Sequence, residues 1–87
     1  MIQNRVELGP EAPAISHKHP GEEIIYVLEG SLEYRIDGQP AQRYGAGEVL
    51  MVPAETVHSV RNVGEGNAAE LGTYFVEKGK PFLVVVE

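Results

Sequence analysis

The sequence predicts an all-β domain, either a sandwich or a barrel, and three observations support this prediction. Ten glycines and six prolines interrupt the chain at short intervals. Between these interruptions lie short apolar or alternating runs, at roughly the 8–12-residue spacing that is typical of all-β sandwiches and barrels. No run of ten residues shows the 3.6-residue period of an amphipathic helix. Strands joined by turns are therefore the expected elements throughout.

Length and composition set the first limits. A chain of 87 residues predicts one domain over residues 1–87. The net charge is −6 and the basic residues are scattered, which argues against nucleic acid or an anionic membrane as a partner. The absence of cysteine excludes a disulfide scaffold. No apolar leader follows Met1 and no stretch approaches the roughly 20 apolar residues of a membrane span, so we expect a cytoplasmic protein.

Alternation defines the strands of the first half of the chain. In one predicted strand, Leu32, Tyr34 and Ile36 share a face, while Glu33 and Arg35 lie on a wet opposite face. The Glu23–Glu29 run is rich in aliphatic residues and is predicted to be central. The predicted strands are Ile2–Leu8, Ala14–His19, Glu23–Glu29 and Ser31–Ile36.

Turn signals divide the second half in the same way. Asp37-Gly38 predicts a two-residue hairpin of type I′. Pro40 marks the following strand as an edge strand or an irregular start. In the long strand that begins at Ala68, alternate positions Ala69, Leu71, Thr73 and Phe75 share a face. The predicted strands are Gln39–Tyr44, Val49–Val52, Val57–Asn62, Ala68–Val76 and Phe82–Val86.

The polar residues around the second predicted strand indicate a metal site. His17 and His19 are one residue apart, so both imidazoles lie on one face of an extended strand. Glu23 opens the next strand after a turn. Two imidazoles and a carboxylate can converge from neighbouring strands, with apolar residues behind them, and this suits a divalent transition metal in a dry pocket. The remaining histidine of the chain, His58, would supply one more ligand.

The two stretches that hold these histidines resemble the two signature motifs of the cupin superfamily. The first motif is HxH, three residues, Glu, six residues and Gly, and it falls on His17, His19, Glu23 and Gly30. The second is Gly, five residues, Pro, then His and, four positions on, Asn, and it falls on Gly47, Pro53, His58 and Asn62. The resemblance implies a small jelly-roll barrel with one divalent transition metal inside, near one end. It implies as metal ligands His17, His19, Glu23 and His58.

Two positions depart from the motifs. Glu11 stands where the family has a glycine six residues before His17, and Glu55 stands where it has a glycine two residues after Pro53. Both are turn positions at which glycine permits a positive φ. These departures bear on the local turn geometry, not on the ligand set.

Other polar and aromatic residues allow alternatives. Glu22 competes with Glu23, but the spacing to Gly30 favours Glu23 and leaves Glu22 facing solvent. We interpret Gly30 and Gly47 as turn glycines, Pro53 as a strand stop and Asn62 as a loop tie through side-chain hydrogen bonds. The residues expected in the core or in an interface are Tyr26, Tyr34, Tyr44, Tyr74 and Phe75. The sequence leaves open whether the barrel interior receives Glu33, Glu70 or Arg35.

The ligand set leaves one or two coordination positions open, as a catalytic site requires. Mixed nitrogen and oxygen ligands suit iron, manganese, nickel, cobalt, copper or zinc. We therefore expect a metal-dependent enzyme acting on a small organic molecule; the resemblance implies an oxygenase first and an isomerase or lyase second. One alternative is a non-catalytic module that binds or senses a small molecule. Another is a metal that only fastens strands together.

The last apolar run of the chain predicts a partner subunit. Phe82–Val86 shows no alternation, and a strand that is apolar on both faces must be covered on both. In so small a barrel we expect another copy of the chain to cover the second face, which also protects exposed strand edges. The sequence therefore predicts a homodimer, which is also the usual state of the family.

Overall fold

A computed structural model describes residues 2–11, 14, 16–75 and 84–85, and within them every regular element is a β-strand. The strands are β1 (Ile2–Leu8), β2 (His17–Lys18), β3 (Glu23–Glu29), β4 (Ser31–Ile36), β5 (Gln42–Gly45), β6 (Val49–Val52), β7 (His58–Asn62), β8 (Ala68–Tyr74) and β9 (Val84–Val85). Among the described residues, no helix combines the length and the apolar character that crossing a membrane requires. The all-β prediction is confirmed.

The strands form two sheets whose strand pairs are antiparallel. One sheet has the order β1-β8-β3-β6 and the other has the order β5-β4-β7-β2-β9. Most connections carry the chain from one sheet to the other, as in a jelly roll. The core between the sheets consists of Leu8, Ile25, Val27, Leu32, Tyr34, Ile36, Leu50, Val52 and Ala68.

The predicted strand bounds hold where alternation is regular and fail beside prolines and turns. β1, β3, β4 and β6 begin and end at the predicted residues. β2 is limited to His17–Lys18, and β5 begins at Gln42, beyond Pro40, which has no N–H to donate to a sheet. Val76 and most of the predicted strand Phe82–Val86 lie outside the described residues.

The predicted type I′ hairpin is wrong. The Gln39 N–H donates to the Ile36 carbonyl across 2.9 Å, so a turn does form around Asp37 and Gly38. Only Gly38 has a positive φ, of 84°, whereas a type I′ turn needs a positive φ at both central residues. Asp37 keeps the ordinary negative φ of an L-residue, and ladder pairing resumes only at Gln42, opposite Tyr34.

The turn at Glu55 keeps the left-handed geometry that glycine would favour. Glu55 has a φ of 61° and is the non-glycine residue with a positive φ among those described. Its N–H donates to the His19 carbonyl across 2.7 Å, and its carboxylate lies 3.5 Å from the Lys18 ammonium. The turn therefore holds the residues beside the histidines in place at the cost of backbone strain.

Gly30 and Asn62 have the structural roles predicted for them. A Cβ at Gly30 would lie 2.7 Å from the Asn67 carbonyl oxygen, and the φ there is 80°. The Asn62 amide donates to the Leu8 carbonyl at 2.9 Å and to the Gly66 carbonyl at 2.8 Å, and it accepts from the Gly64 N–H at 2.9 Å. Asn62 thus ties the loop before β8 to the end of β1.

The outer faces of the two sheets differ in character. On β4, Glu33 faces outward and meets the guanidinium groups of Arg61, Arg35 and Arg43 at 2.9, 3.7 and 3.8 Å. Glu33 and Arg35 therefore lie outside the barrel. On β3 and β6 the outward side chains are apolar instead, and the exposed ones are Ile24, Tyr26, Val49 and Met51.

We predict that Glu55→Gly stabilises the fold. Glycine removes the cost of a left-handed L-residue, about 1 kcal/mol, at the expense of the exposed contact with Lys18. Urea denaturation should show a higher unfolding free energy than for the unaltered chain. Glu55→Ala loses the same contact but keeps a Cβ, so it should show no gain. Equal stabilities for the glycine and alanine variants would contradict the strain argument.

Candidate metal centre

Three strand ends bring the histidines together at one end of the barrel. His17 on β2 is the register partner of His58, the first residue of β7, and His19 follows β2 directly. The imidazole centroids of His17 and His58 are 4.2 Å apart, and His19 lies 5.0 and 5.1 Å from them. One ring nitrogen from each of the three lies within 4.8 Å of the others.

Glu23 joins this group from the opposite sheet. Its Oε1 atom lies 3.2 Å from His19 Nε2 and 3.4 Å from His58 Nε2, and the residue is only 3% exposed. Glu22, the alternative carboxylate, is exposed. The alternation of β3 explains the difference, because Glu23 shares the inner face with Ile25 and Val27.

A backbone carbonyl determines the tautomer of His58. Its Nδ1 atom lies 2.9 Å from the Thr56 carbonyl oxygen, and because a carbonyl only accepts, Nδ1 carries the proton. In the neutral ring, Nε2 then presents a lone pair to the Glu23 carboxylate. Two buried hydrogen-bond acceptors, Nε2 and the carboxylate oxygen, therefore face each other. A metal ion between them would remove this repulsion.

The donor set fits a transition metal. Nitrogen and oxygen atoms that share one ion at about 2.1 Å lie roughly 3.0–3.4 Å apart, and the two Glu23–histidine distances are 3.2 and 3.4 Å. Imidazole and carboxylate donors without a thiolate suit divalent metals of intermediate hardness. The residues present can therefore hold the kind of ion that the sequence predicts.

Gly72 makes room for the Glu23 carboxylate. A Cβ at Gly72 would lie 2.8 Å from Glu23 Oε2 and 2.9 Å from the Tyr74 hydroxyl. The Tyr74 hydroxyl donates to Glu23 from the neighbouring strand. The missing side chain on β8 is thus what allows the carboxylate and the phenol to meet. An isolated glycine inside a strand is the sequence signal of such a close approach.

The environment of Glu23 favours its ionised form. Burial alone would raise the pKa of this carboxyl, but its contacts with His19 and His58 outweigh burial and lower the pKa from 4.5 to about 2. The Tyr74 hydrogen bond acts in the same direction. Glu23 is therefore an anion at neutral pH, as a metal ligand must be.

A cavity of about 150 Å³ opens beside this group and is lined by His17, Glu23, Tyr34, Glu70 and Tyr74, with Asn4, Val6 and Val60. Glu70 is 4% exposed and accepts a hydrogen bond from the Tyr34 hydroxyl. The sequence left Glu70 open and put Tyr34 and Tyr74 in the core or in an interface. The two tyrosines are buried, but both also line the cavity.

A larger groove of about 280 Å³ lies elsewhere, along the Asp37-Gly38 turn, and touches the candidate site only through His58. Its walls include Ser16, Arg35 and Val57 but none of the other candidate ligands. The candidate metal ligands are therefore associated with the smaller cavity, because the two buried carboxylates and the two buried phenols line it.

Comparison with known proteins agrees with this architecture. A family model described as a cupin domain matches residues 4–86. The chain belongs to the cupin domain family. The crystal structure of a cupin-like protein from Thermotoga maritima superposes on this cupin with a TM-score of 0.85 and 25% identity, over 97% of this chain and 62% of that one. The predicted jelly-roll fold is confirmed.

Two relatives have named activities. The structure of an oxalate oxidase in complex with the substrate analogue glycolate has a TM-score of 0.83 and 28% identity, over 97% of this cupin and 45% of that chain. The dimethylsulfoniopropionate lyase DddQ of Ruegeria pomeroyi is 38% identical over 45 residues, which are 52% of this cupin and 22% of the lyase. This cupin therefore spans much less than the full length of either protein.

We predict that the metal-free cupin loses stability in acid through Glu23. A carboxyl with a lowered folded pKa stabilises the fold above its unfolded value of 4.5, and the effect is lost as the pH falls toward about 2. The full loss corresponds to roughly 3 kcal/mol at 1.36 kcal/mol per pKa unit. Urea denaturation between pH 6 and pH 2 measures it.

Two variants of neighbouring residues separate this effect from general acid denaturation. Glu23→Gln should lack this part of the acid loss, because its amide does not titrate. Glu22→Gln changes an exposed neighbour and should keep the loss in full. An identical pH dependence for both variants would show that Glu23 is not the group responsible.

Proposed function

We propose that this cupin is a metal-dependent enzyme that acts on a small organic acid. The observation that carries the proposal is the convergence of three imidazoles and one buried carboxylate beside a small, closed-in cavity. A purely structural site needs no cavity next to it, whereas a site that acts on a second molecule does.

The proposed ligands of one divalent transition metal are His17, His19, Glu23 and His58. His58 is oriented by the Thr56 carbonyl, and Glu23 is held by Tyr74, so each of these two ligands has a partner that fixes its direction. A bound divalent ion would act as a Lewis acid and would leave one net positive charge beside the anionic Glu23 to attract an anionic ligand.

The cavity indicates the size of the ligand. At about 150 Å³ it is smaller than the roughly 300–1,000 Å³ of sites for drug-sized molecules. The described residues that line it include no lysine or arginine, so among them an anion would find its charge partner only in the metal. The names of both relatives refer to short carboxylates: oxalate, glycolate and dimethylsulfoniopropionate. These features together favour an acid of a few carbon atoms.

The reaction type follows from the family by analogy alone. An oxygenase stays our first expectation and a lyase or isomerase the second, and dependence on dioxygen distinguishes them. We also propose that residues 1–87 act as a single barrel domain, because the strands of both sheets contribute to one core.

The cupin also has a face suited to a second copy of itself. Ile24 pairs with Met51, and Tyr26 pairs with Val49, so four exposed apolar side chains adjoin on the outer face of β3 and β6. β6 is the edge of its sheet in the described part of the chain. We propose a homodimer through this face, since two copies with a net charge of −6 approach best where neither presents charge.

We predict that the cupin binds one equivalent of a divalent transition metal. Elemental analysis of protein purified without a chelator should show it, and saturation to about 100 times Kd should stabilise the fold by about 2.7 kcal/mol. For a domain of this size the melting temperature should rise by about 10 °C or more. His58→Ala and Glu23→Gln should lose most of this rise, while Glu22→Gln should keep it.

The same metal-loaded protein tests catalysis. Oxalate, glycolate and dimethylsulfoniopropionate are supplied with and without dioxygen, and turnover of at least one, absent in His58→Ala, is the expected result. Tight binding of an acid that is recovered unchanged with every metal would instead favour the binding module. A cupin that takes up no metal at all would overturn the proposal.

We predict that the cupin is a dimer at micromolar concentration and that Met51→Glu shifts it to the monomer. The new charge would be buried against the partner's apolar face, which is costly without a counter-ion. Light scattering measures the mass. Gln3→Glu adds a charge at the far edge of the same sheet and should leave the dimer intact. A monomeric unaltered cupin would contradict the proposal.

A further inference from the structure

Glu70 occupies an unusual place for a carboxylate. It lies on the inner face of β8, where its register partners are Val6 on β1 and Val27 on β3. It is 4% exposed, although Glu is seldom buried without a charged partner. An apolar residue would fill this position at no electrostatic cost, so the carboxylate calls for an explanation beyond packing.

The Glu70 carboxylate accepts a hydrogen bond from the Tyr34 hydroxyl. Tyr34 comes from β4 in the opposite sheet and is 3% exposed. A phenol at neutral pH donates one proton, so this hydrogen bond engages one carboxylate oxygen, Oε2. The other oxygen is then available to a molecule in the cavity. Both residues line the same cavity as His17 and Glu23.

The groups around Glu70 do not neutralise it. From β3 the Glu23 carboxylate opposes its ionisation, while His58 and His19 favour it. β1 presents Val6, which does not titrate. The titratable groups that share its surroundings are His17, His19, Glu23, Tyr34, His58 and Tyr74. Among the residues that the structure describes, no ammonium or guanidinium group lines this cavity.

These surroundings raise the pKa of the Glu70 carboxyl to a value close to neutral pH. Burial raises the pKa of this carboxyl from 4.5 to about 7, the Tyr34 hydrogen bond lowers it, and the Glu23 charge raises it. Glu23 has the opposite shift, to about 2. The cavity therefore has two carboxyl groups in different states at pH 7: Glu23 is ionised and Glu70 is close to half-protonated. Such a pair is typical of sites in which one carboxylate is a metal ligand or a fixed charge and the other acts as an acid or base.

We propose that Glu70, held in place by Tyr34, is the group that exchanges a proton with the molecule in the cavity. The inference rests on the proposed function for the nature of that molecule. When an anionic ligand enters, the Glu70 carboxylate takes one proton from solvent, because two anions in a low-dielectric cavity repel each other. In a reaction, the Oε–H bond breaks, its electron pair stays on the carboxylate, and the proton passes to the substrate; the reverse transfer restores the acid.

The first test needs neither metal nor substrate. Between pH 4.5 and about 7, the folded metal-free protein keeps a proton on Glu70 that the unfolded chain has released, so stability falls as the pH rises through this window. The urea midpoint of the unaltered protein should show this fall. Glu70→Gln should not show it.

Two tyrosine variants check the position of the group. Tyr34→Phe removes a hydrogen bond that favours the ionised carboxylate, so the fall should continue to higher pH. Tyr44→Phe removes the hydroxyl of the neighbouring ring, which bonds Gln42 instead, and it should leave the profile unchanged. A profile that Glu70→Gln leaves as it is would overturn the proposal.

The second test measures proton uptake. Oxalate is titrated into the metal-loaded cupin at pH 7.5 by calorimetry, in buffers of different ionisation enthalpy. Uptake of a substantial fraction of one proton per oxalate is expected, with an uptake near zero in Glu70→Gln, because the metal-bound histidines are not available to accept it. Oxalate binding with the same uptake in both proteins would also overturn the proposal.

The two tests separate this proposal from the proposed function. If the metal-free profile depends on Glu70 but oxalate does not bind, the choice of a small acid as substrate fails and the assignment of the exchanging group stands. If oxalate binds and is turned over at the same rate, with the same pH profile, in Glu70→Gln, the metal-dependent activity stands and the assignment to Glu70 fails.

Discussion

The burial of several ionisable groups at one end of a small apolar barrel is the constraint on which this structure depends. His19, Glu23 and His58 are each at most 3% exposed, and each such group costs several kcal/mol unless its polar atoms are satisfied. The fold meets part of this cost locally. The Thr56 carbonyl accepts one imidazole proton, and a glycine on β8 leaves the space in which Tyr74 reaches Glu23. The site is therefore built together with the core.

The two buried carboxylates of the cavity show how position decides chemistry. Each is paired with a phenol, Glu23 with Tyr74 and Glu70 with Tyr34. The histidines make the difference. Contacts with them lower the pKa of Glu23, whereas at Glu70 burial has the largest effect and raises the pKa to about 7. The same side chain thus acquires two characters because one copy lies against imidazoles and the other lies between two valines.

The sequence predicted the convergence of the proposed ligands better than it predicted the residues beside them. The spacing of His17, His19 and Glu23 sufficed because strand alternation is strict, and their convergence with His58 came from the family resemblance. Glu70 could not be chosen, because β8 carries Leu71 and Phe75 on the face opposite to it, and this pattern favours placing that apolar face inside. Gly72 was the available signal, since it marks the close approach of another group on the inner face. The predicted hairpin type failed because it depends on the backbone angle of a single residue, Asp37.

The short extent of β2 has a consequence for how the centre is filled. Two of the three imidazoles belong to a strand of two residues and its immediate continuation. This strand pairs with β7 through one residue pair, His17 with His58, and with β9 through two. Segments with so little ladder pairing open at a small fraction of the free energy of global unfolding. If these residues bind an ion as proposed, it would reach them by a brief excursion of β2, while the β3–β8 and β4–β7 ladders stay closed. Loading and chelation would then proceed on the folded molecule, and occupancy of the centre would in turn anchor β2 to its sheet.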